Sequence, residues 1–152
     1  MRKTRLWIVG LMLGSVCSLS AGRTMAQGHG DAGGMRMRLE RVYLQDSLLW
    51  MRFRVRNFSA YDFRVGWMEF KVRQRHRFRR RAFQEFRLQP RVRKEPSMIP
   101  GDSTVTLIYG LAPRVIGEDR ELVAELRERN GDRVMRVVVG GRALTRIRRI
   151  TE

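Results

Sequence analysis

An all-β fold is what this sequence predicts, arranged as a single antiparallel β-sandwich of immunoglobulin-like character with seven or eight short strands. Three observations lead there. From residue 36 onward apolar and polar residues alternate with a period of two, the signature of strands with one buried and one wet face. Turn residues recur between these stretches, among them Asn130-Gly131, Gly140-Gly141 and Pro100-Gly101. At 152 residues the chain can hold one domain with a real core. Closure into a small barrel is the alternative architecture.

The elements follow in order. "MRLERVYL" and "SLLWMRFRVRN" flank Gln45-Asp46 and form a first hairpin, with Met51, Phe53 and Val55 inward and Arg52, Arg54 and Arg56 outward. Met68, Phe70 and Val72 alternate with Glu69, Lys71 and Arg73 in a further strand, and Gln84, Phe86 and Leu88 form the inward face of a returning one. Pro90, Pro96 and Pro100-Gly101 place loops in the middle of the chain. Val105, Leu107 and Tyr109 give the next strand its inward face. "ELVAELRE" has helical propensity, but Asn130-Gly131 and the β-branched "RVMRVVV" follow it, so strand, primed turn and strand is the better reading. Under that reading Gly131→Val is poorly tolerated. Gly140-Gly141 then turns into "RALTRIRRI", the third strand of a closing meander.

The first residues differ from this pattern. Arg2, Lys3 and Arg5 precede an uncharged apolar run from Leu6 to Val16, and Thr24-Met25-Ala26 follows, which is the layout of a secretory signal peptide over residues 1–26 cleaved after Ala26. Cys17 leaves with that segment, and Val16 before it fits a lipoprotein signal poorly; the mature chain then has no thiol chemistry. Residues 27–35, "QGHGDAGGM", form a flexible Gly-rich linker ahead of a sandwich domain at 36–152.

Charge is the most unusual property. Lys and Arg number 32 against 15 Asp and Glu, a formal net charge of +17, and only Lys3, Lys71 and Lys94 among the basic residues are lysines. Such a chain is drawn to polyanions or acidic proteins. The preference for Arg over Lys also follows from codon composition in a GC-rich genome, which leaves the net charge itself unexplained. The densest run is "KVRQRHRFRRRAFQEF", residues 71–86. Lys71, Arg73 and Arg75 extend the outward face of one strand, so Arg77, Arg79, Arg80 and Arg81, with His76 and Phe78 between them, form a hairpin tip. Three readings stand: a solvated tip that blocks edge-to-edge pairing, a docking finger for an acidic protein, glycan or lipid headgroup, and a nucleic-acid contact. Export makes direct nucleic-acid binding the least favoured of the three.

No catalytic constellation is present in the sequence. His29 and His76 have no serine or cysteine to activate, the carboxylates lie among arginines at ion-pair spacings, and Gly140-Gly141 lacks the Lys-Ser/Thr of a phosphate loop. Two histidines without a mature cysteine give no metal site. The expectation is a binding protein with no catalytic residue, cofactor or metal.

Several short elements nevertheless recur in a recognisable order. Asn57-x-Ser59 precedes Tyr61-Asp62, then come "MEFKVR" at 68–73, Ala82-x-Gln84-Glu85, "IPG" at 99–101 and "ELVAELRERNGDR" at 121–133. In that order they resemble the C-terminal β-domain of the conjugative-transposon TraN family, over roughly residues 38–150, in a short form without the family's N-terminal domain. The resemblance implies a periplasmic or outer-membrane-associated structural or accessory subunit of a type IV secretion-like conjugation apparatus. Its partners would be other channel proteins, a further copy of itself, or polyanionic envelope components. It also implies structural roles for Asn57, Ser59, Tyr61, Asp62, Asn130 and Gly131, with the Tyr61 ring packed at the sandwich edge and Asp62 accepting backbone or Arg hydrogen bonds.

Overall fold

The computed structural model describes residues 29–75, 85–145 and 147. Ten strands are found among them: β1 His29–Ala32, β2 Met35–Gln45, β3 Leu48–Asn57, β4 Phe63–Gln74, β5 Phe86–Leu88, β6 Pro90–Lys94, β7 Met98–Ile99, β8 Thr104–Leu111, β9 Arg120–Glu128 and β10 Val134–Gly140. They form two antiparallel sheets, β1-β2-β3-β8-β6 and β10-β9-β4-β5, with the two-residue β7 paired to the start of β4. The sheets face each other as a sandwich, and β1 at one edge of the first lies against β10 at one edge of the second.

Alternation decides which face each strand buries. Met35, Met37 and Leu39 of β2 and Met51, Phe53 and Val55 of β3 are buried, as are Leu107 and Tyr109 of β8. Phe63, Val65, Met68, Phe70 and Val72 of β4 meet them from the second sheet with Leu122, Ala124 and Leu126 of β9. Among the described strands the register shifts at three places, between Leu39 and Arg41, between Val65 and Trp67 and between Pro90 and Val92. At the centre three rings bridge the sheets: Phe70 lies 5.2 Å from Tyr109 and 6.2 Å from Phe53, and Phe53 lies 6.1 Å from Tyr109. The Tyr109 hydroxyl donates to the Glu95 carboxylate, and burial followed by that carboxylate pushes the phenol far above its ordinary pKa.

Several sequence expectations need correction. His29–Ala32, expected in a flexible linker, pairs with Met35–Arg38 as an edge strand, and the turn between them uses Gly33 and Gly34 at φ of 54° and 75°. The first hairpin turns one residue later than expected, at Asp46 and Ser47, both in the left-handed region at φ of 50° and 57°. That is the backbone a two-residue primed turn demands, and serine tolerates it poorly. Ser47→Gly is therefore expected to raise stability by about 0.5–1 kcal/mol, read from the urea midpoint.

Pro90 does not sit in a loop but opens the edge strand β6, where its missing N–H is tolerated. The loop after β9 is longer than a primed two-residue turn. Glu128 and Val134 bound it, and only Asn130 has a positive φ, of 59°. At Gly131 a Cβ would lie 2.4 Å from the Glu128 carboxylate, so a larger residue there would have to displace the side chain that holds Arg133. Gly141–Thr145 is a short helix, α1, where a third meander strand was expected. Residues 1–26, the proposed signal peptide, lie outside the described residues, as do 76–84.

Candidate functional site

Asn57-x-Ser59, Tyr61-Asp62, "IPG" 99–101 and the end of "ELVAELRERNGDR" meet at one corner of the sandwich. β3 ends on Asn57, whose side chain is fully buried and saturated with hydrogen bonds. Its Nδ2 donates to the carbonyls of Tyr61 (2.8 Å), Pro100 (3.1 Å) and Ile99 (3.3 Å), while its Oδ1 accepts from the Ser59 hydroxyl (2.7 Å) and backbone N–H (3.1 Å). The Asn57 N–H itself reaches the Ser103 carbonyl at 2.8 Å, and the Phe58 N–H reaches that of Gly34 at 2.7 Å. A buried carboxamide with its donors and acceptor engaged is a rigid clamp, because opening it would strand polar groups away from water.

Neighbouring segments tighten the same corner. The Gly101 N–H donates to Asp62 Oδ1 at 3.0 Å, and the Asp102 N–H donates to the Ser59 carbonyl at 3.0 Å. At Gly101 a Cβ would stand 2.6 Å from the Ala60 carbonyl oxygen, so the two loops approach this closely only with glycine there. From the loop after β9, Arg133 donates to the Asp62 carbonyl at 2.7 Å, covers the Phe63 ring at 5.1 Å and forks onto the Glu128 carboxylate through Nε (2.8 Å) and its terminal nitrogen. Glu128 was read from the sequence only as one of several carboxylates at ion-pair spacings, and Arg133, which ends the "RNGDR" run, was not singled out.

Asn57, Ser59, Tyr61 and Asp62 are thus brought together with "IPG" 99–101, whereas Asn130 and Gly131 contribute through the loop that carries Arg133. Tyr61 corrects the expectation that its ring packs at the edge. Its carbonyl is held by Asn57 and Ser59, and its side chain stands 79% exposed. Asp62 is exposed as well, so Asp62→Ala removes one surface backbone bond and not a buried acceptor. Beside Tyr61, Phe58 is 53% exposed and lies between the guanidiniums of Arg36 (5.3 Å) and Arg56 (5.2 Å). The fixed backbone of this corner thus carries two exposed aromatic residues, Phe58 and Tyr61.

Hydrogen bonds from Arg133 hold the Glu128 carboxyl below its ordinary pKa against the opposing effect of burial. At Glu125, 3% exposed on the outer face of the second sheet, burial is the largest influence and raises the carboxyl. Hydrogen bonds from Arg127 and Arg136 and the charges of Arg136 and Lys71 outweigh it, and the net shift is down. A depressed carboxylate stabilises the fold fully above its unfolded value, and that contribution is lost as pH falls through the folded one. The stability difference between wild type and Glu128→Gln is accordingly expected to be largest near neutral pH and to shrink below about pH 4.5, the ordinary glutamate value. Urea midpoints taken from pH 7 to pH 3 measure it.

Lys71, Arg73 and Arg75 of the basic stretch at 71–81 are among the described residues. Lys71 lies 3.1 Å from Glu69, 3.7 Å from Glu85 and 3.9 Å from Glu125, and Arg73 lies 2.6 Å from Glu121. Arg75 is exposed, and its N–H donates to the Asp119 carbonyl at 2.8 Å. Arg77, Phe78, Arg79, Arg80 and Arg81 lie outside the described residues. On the same outer face Arg87 pairs with Glu69 at 2.9 Å and Arg136 with Glu125 at 2.7 Å. Among the described residues no three His, Cys, Asp or Glu side chains gather as a metal site.

A family model described as "Domain of unknown function (DUF4138)" matches residues 11–149 of the chain. No curated protein and no solved structure matches it.

Proposed function

The chain belongs to the DUF4138 family, and from that premise we propose that it is an exported, non-catalytic subunit of a conjugative transfer apparatus, periplasmic or outer-membrane-associated, that works by binding other proteins. The observation that carries this reading is the Asn57 corner. Its hydrogen bonds are spent on loop backbone, and the side chains it leaves in the open, Phe58 and Tyr61, are of the kind that anchor protein interfaces. The elements that build it are among those on which the resemblance to the TraN β-domain rests, which supports the channel role that the resemblance implies.

Polyanion binding through residues 71–81 is the second reading, and the described part of that stretch does not favour it. Lys71 and Arg73 already have carboxylate partners. The test is a crosslinked pull-down of the tagged protein from its native envelope in high salt, identified by mass spectrometry. Channel proteins are expected among the products, because contacts with an apolar centre persist in salt. Recovery of glycan, lipid or nucleic acid alone, and only in low salt, would overturn the proposal.

A further inference from the structure

We infer that the outer face of the first sheet carries a carbohydrate site around Tyr43 and Trp50, and that its ligand is a polysaccharide of carboxylated pyranose rings. This goes beyond the protein-docking role proposed above and uses the opposite end of β3 from the Asn57 corner.

Register lines up Tyr43 of β2, Trp50 of β3, Gly110 of β8 and Val92 of β6 in one row across four strands, about 14 Å wide. The row faces outward, because Val42, Met51, Tyr109 and Leu111 beside it in sequence are buried. Further along the same face Arg54 stands opposite Thr106 and Arg56 opposite Thr104. An apolar patch rimmed by polar residues on a wet face marks a binding site.

Trp50 is pinned across the strands. Its indole N–H donates to the Gln45 carbonyl on β2 at 3.2 Å, and its Cζ3 is the atom that a Cβ at Gly110 of β8 would meet at 3.4 Å. The ring therefore bridges both neighbours of β3. That Cβ would also meet Val92 at 3.2 Å and Leu48 at 3.3 Å, so these side chains fill the dip a glycine leaves. No recess remains there for a projecting side chain of the kind that anchors a protein interface. The Tyr43 ring lies 6.4 Å from that of Trp50, within 14° of parallel. Parallel rings in contact at that centroid distance are displaced sideways by about 5 Å, so neither covers the other's face. Both residues are half-buried, as rings are with one face on the sheet and one open.

A flat surface of two aromatic and two aliphatic side chains matches the C–H face of a pyranose, whose weakly positive hydrogens meet the negative ring faces. The flanks select which pyranose. On one side Arg41 lies two strand steps from Tyr43 and Lys94 two from Val92, about 6.8 Å in each case. Both are exposed and have no ion pair among the described residues, whereas Arg52 between them is held by Glu40 at 3.2 Å. On the other side lie Gln45 and the turn residues Asp46 and Ser47. Cations along one edge and amide, carboxylate and hydroxyl groups along the other suit a ring with a carboxylate on one edge and hydroxyls on the opposite one. Single-stranded nucleic acid also stacks on open aromatic faces. It brings a phosphate with every base, and the flank that holds Gln45, Asp46 and Ser47 offers it no cation.

Isothermal titration calorimetry of the full chain with a hexamer of galacturonic acid tests this. The probes for comparison are a neutral galactose hexamer, oligothymidine and anionic vesicles, all at moderate salt. The acidic hexamer is expected to bind best. Trp50→Ala is expected to weaken it at least roughly tenfold, and Arg41→Gln with Lys94→Gln roughly three- to fivefold. Trp67→Ala removes the second sheet's tryptophan, which is 51% exposed, and is expected to change binding less than twofold. Tyr43→Ala serves as a second variant on the platform, and matching melting curves establish that each variant is folded. Equal losses from Trp50→Ala and Trp67→Ala would overturn the inference. So would preference for the neutral hexamer, oligothymidine or vesicles, or no binding of the acidic hexamer.

Discussion

Replacing Asn57 by alanine is expected to lower stability by about 3–4 kcal/mol, because it removes a buried amide that serves several partners at once. The carbonyls of Ile99 and Pro100 lose a donor, and the Ser59 hydroxyl and N–H lose their acceptor. Nothing else at the corner can replace them, since alanine leaves a cavity where the carboxamide stood. Asn57→Asp is expected to fall between alanine and wild type: it keeps the acceptor for Ser59 but turns carboxylate oxygen toward the carbonyls that Nδ2 now serves. Urea midpoints of the three proteins measure the order. A further consequence separates this residue from an ordinary core position. With the 57–62 loop released, Tyr61 should become mobile, and fluorescence anisotropy decay of a probe at that position should shorten.

Phe70→Ala is expected to cost about 3–5 kcal/mol, for a different reason. Phe70 is fully buried and is the second sheet's contribution to the ring cluster with Phe53 and Tyr109. Truncation opens a cavity between the sheets that neither can close without moving against the other. The loss should appear in the urea midpoint with little change in slope, because the chain remains a cooperative sandwich. Phe70→Leu should recover part of it, since volume more than aromaticity fills the gap.

Much of the fold was legible because alternation carries it. The runs at 51–55, 68–72 and 105–109 had the inward residues right, since a period of two leaves only one way to bury one face. Legibility failed where the local signal was weak or ambiguous. "HGDAGG" looked like a linker because it has no alternation, and its pairing to β2 depends on a partner strand, not on its own side chains. Gly140-Gly141 read as a turn into a third strand, whereas Gly141–Thr145 is the helix α1, packed against β9 and β10. At the candidate site, Asn57, Ser59 and Asp62 were recognised as structural, but the direction of Tyr61 was not legible: a tyrosine held by its carbonyl and one held by its ring look alike in sequence. The arginines at 36–56 were read only as the wet side of a hairpin. Register sets Arg opposite Arg there, whereas in the denser run at 71–73 Lys71 lies beside the neighbouring Glu69 and Arg73 beside Glu121, which is distant in sequence.

The measurement that most directly tests the docking role is site-specific photocrosslinking in the native envelope, with the photoreactive residue at position 61 and, in a parallel strain, at position 87. Both positions are exposed, one beside the Asn57 corner and one on the second sheet's outer face. The account predicts discrete protein adducts from position 61 that survive high salt and weaken when Phe58 is changed to Ser, with few or none from position 87. Equal adduct patterns from the two positions, or none from position 61, would contradict it.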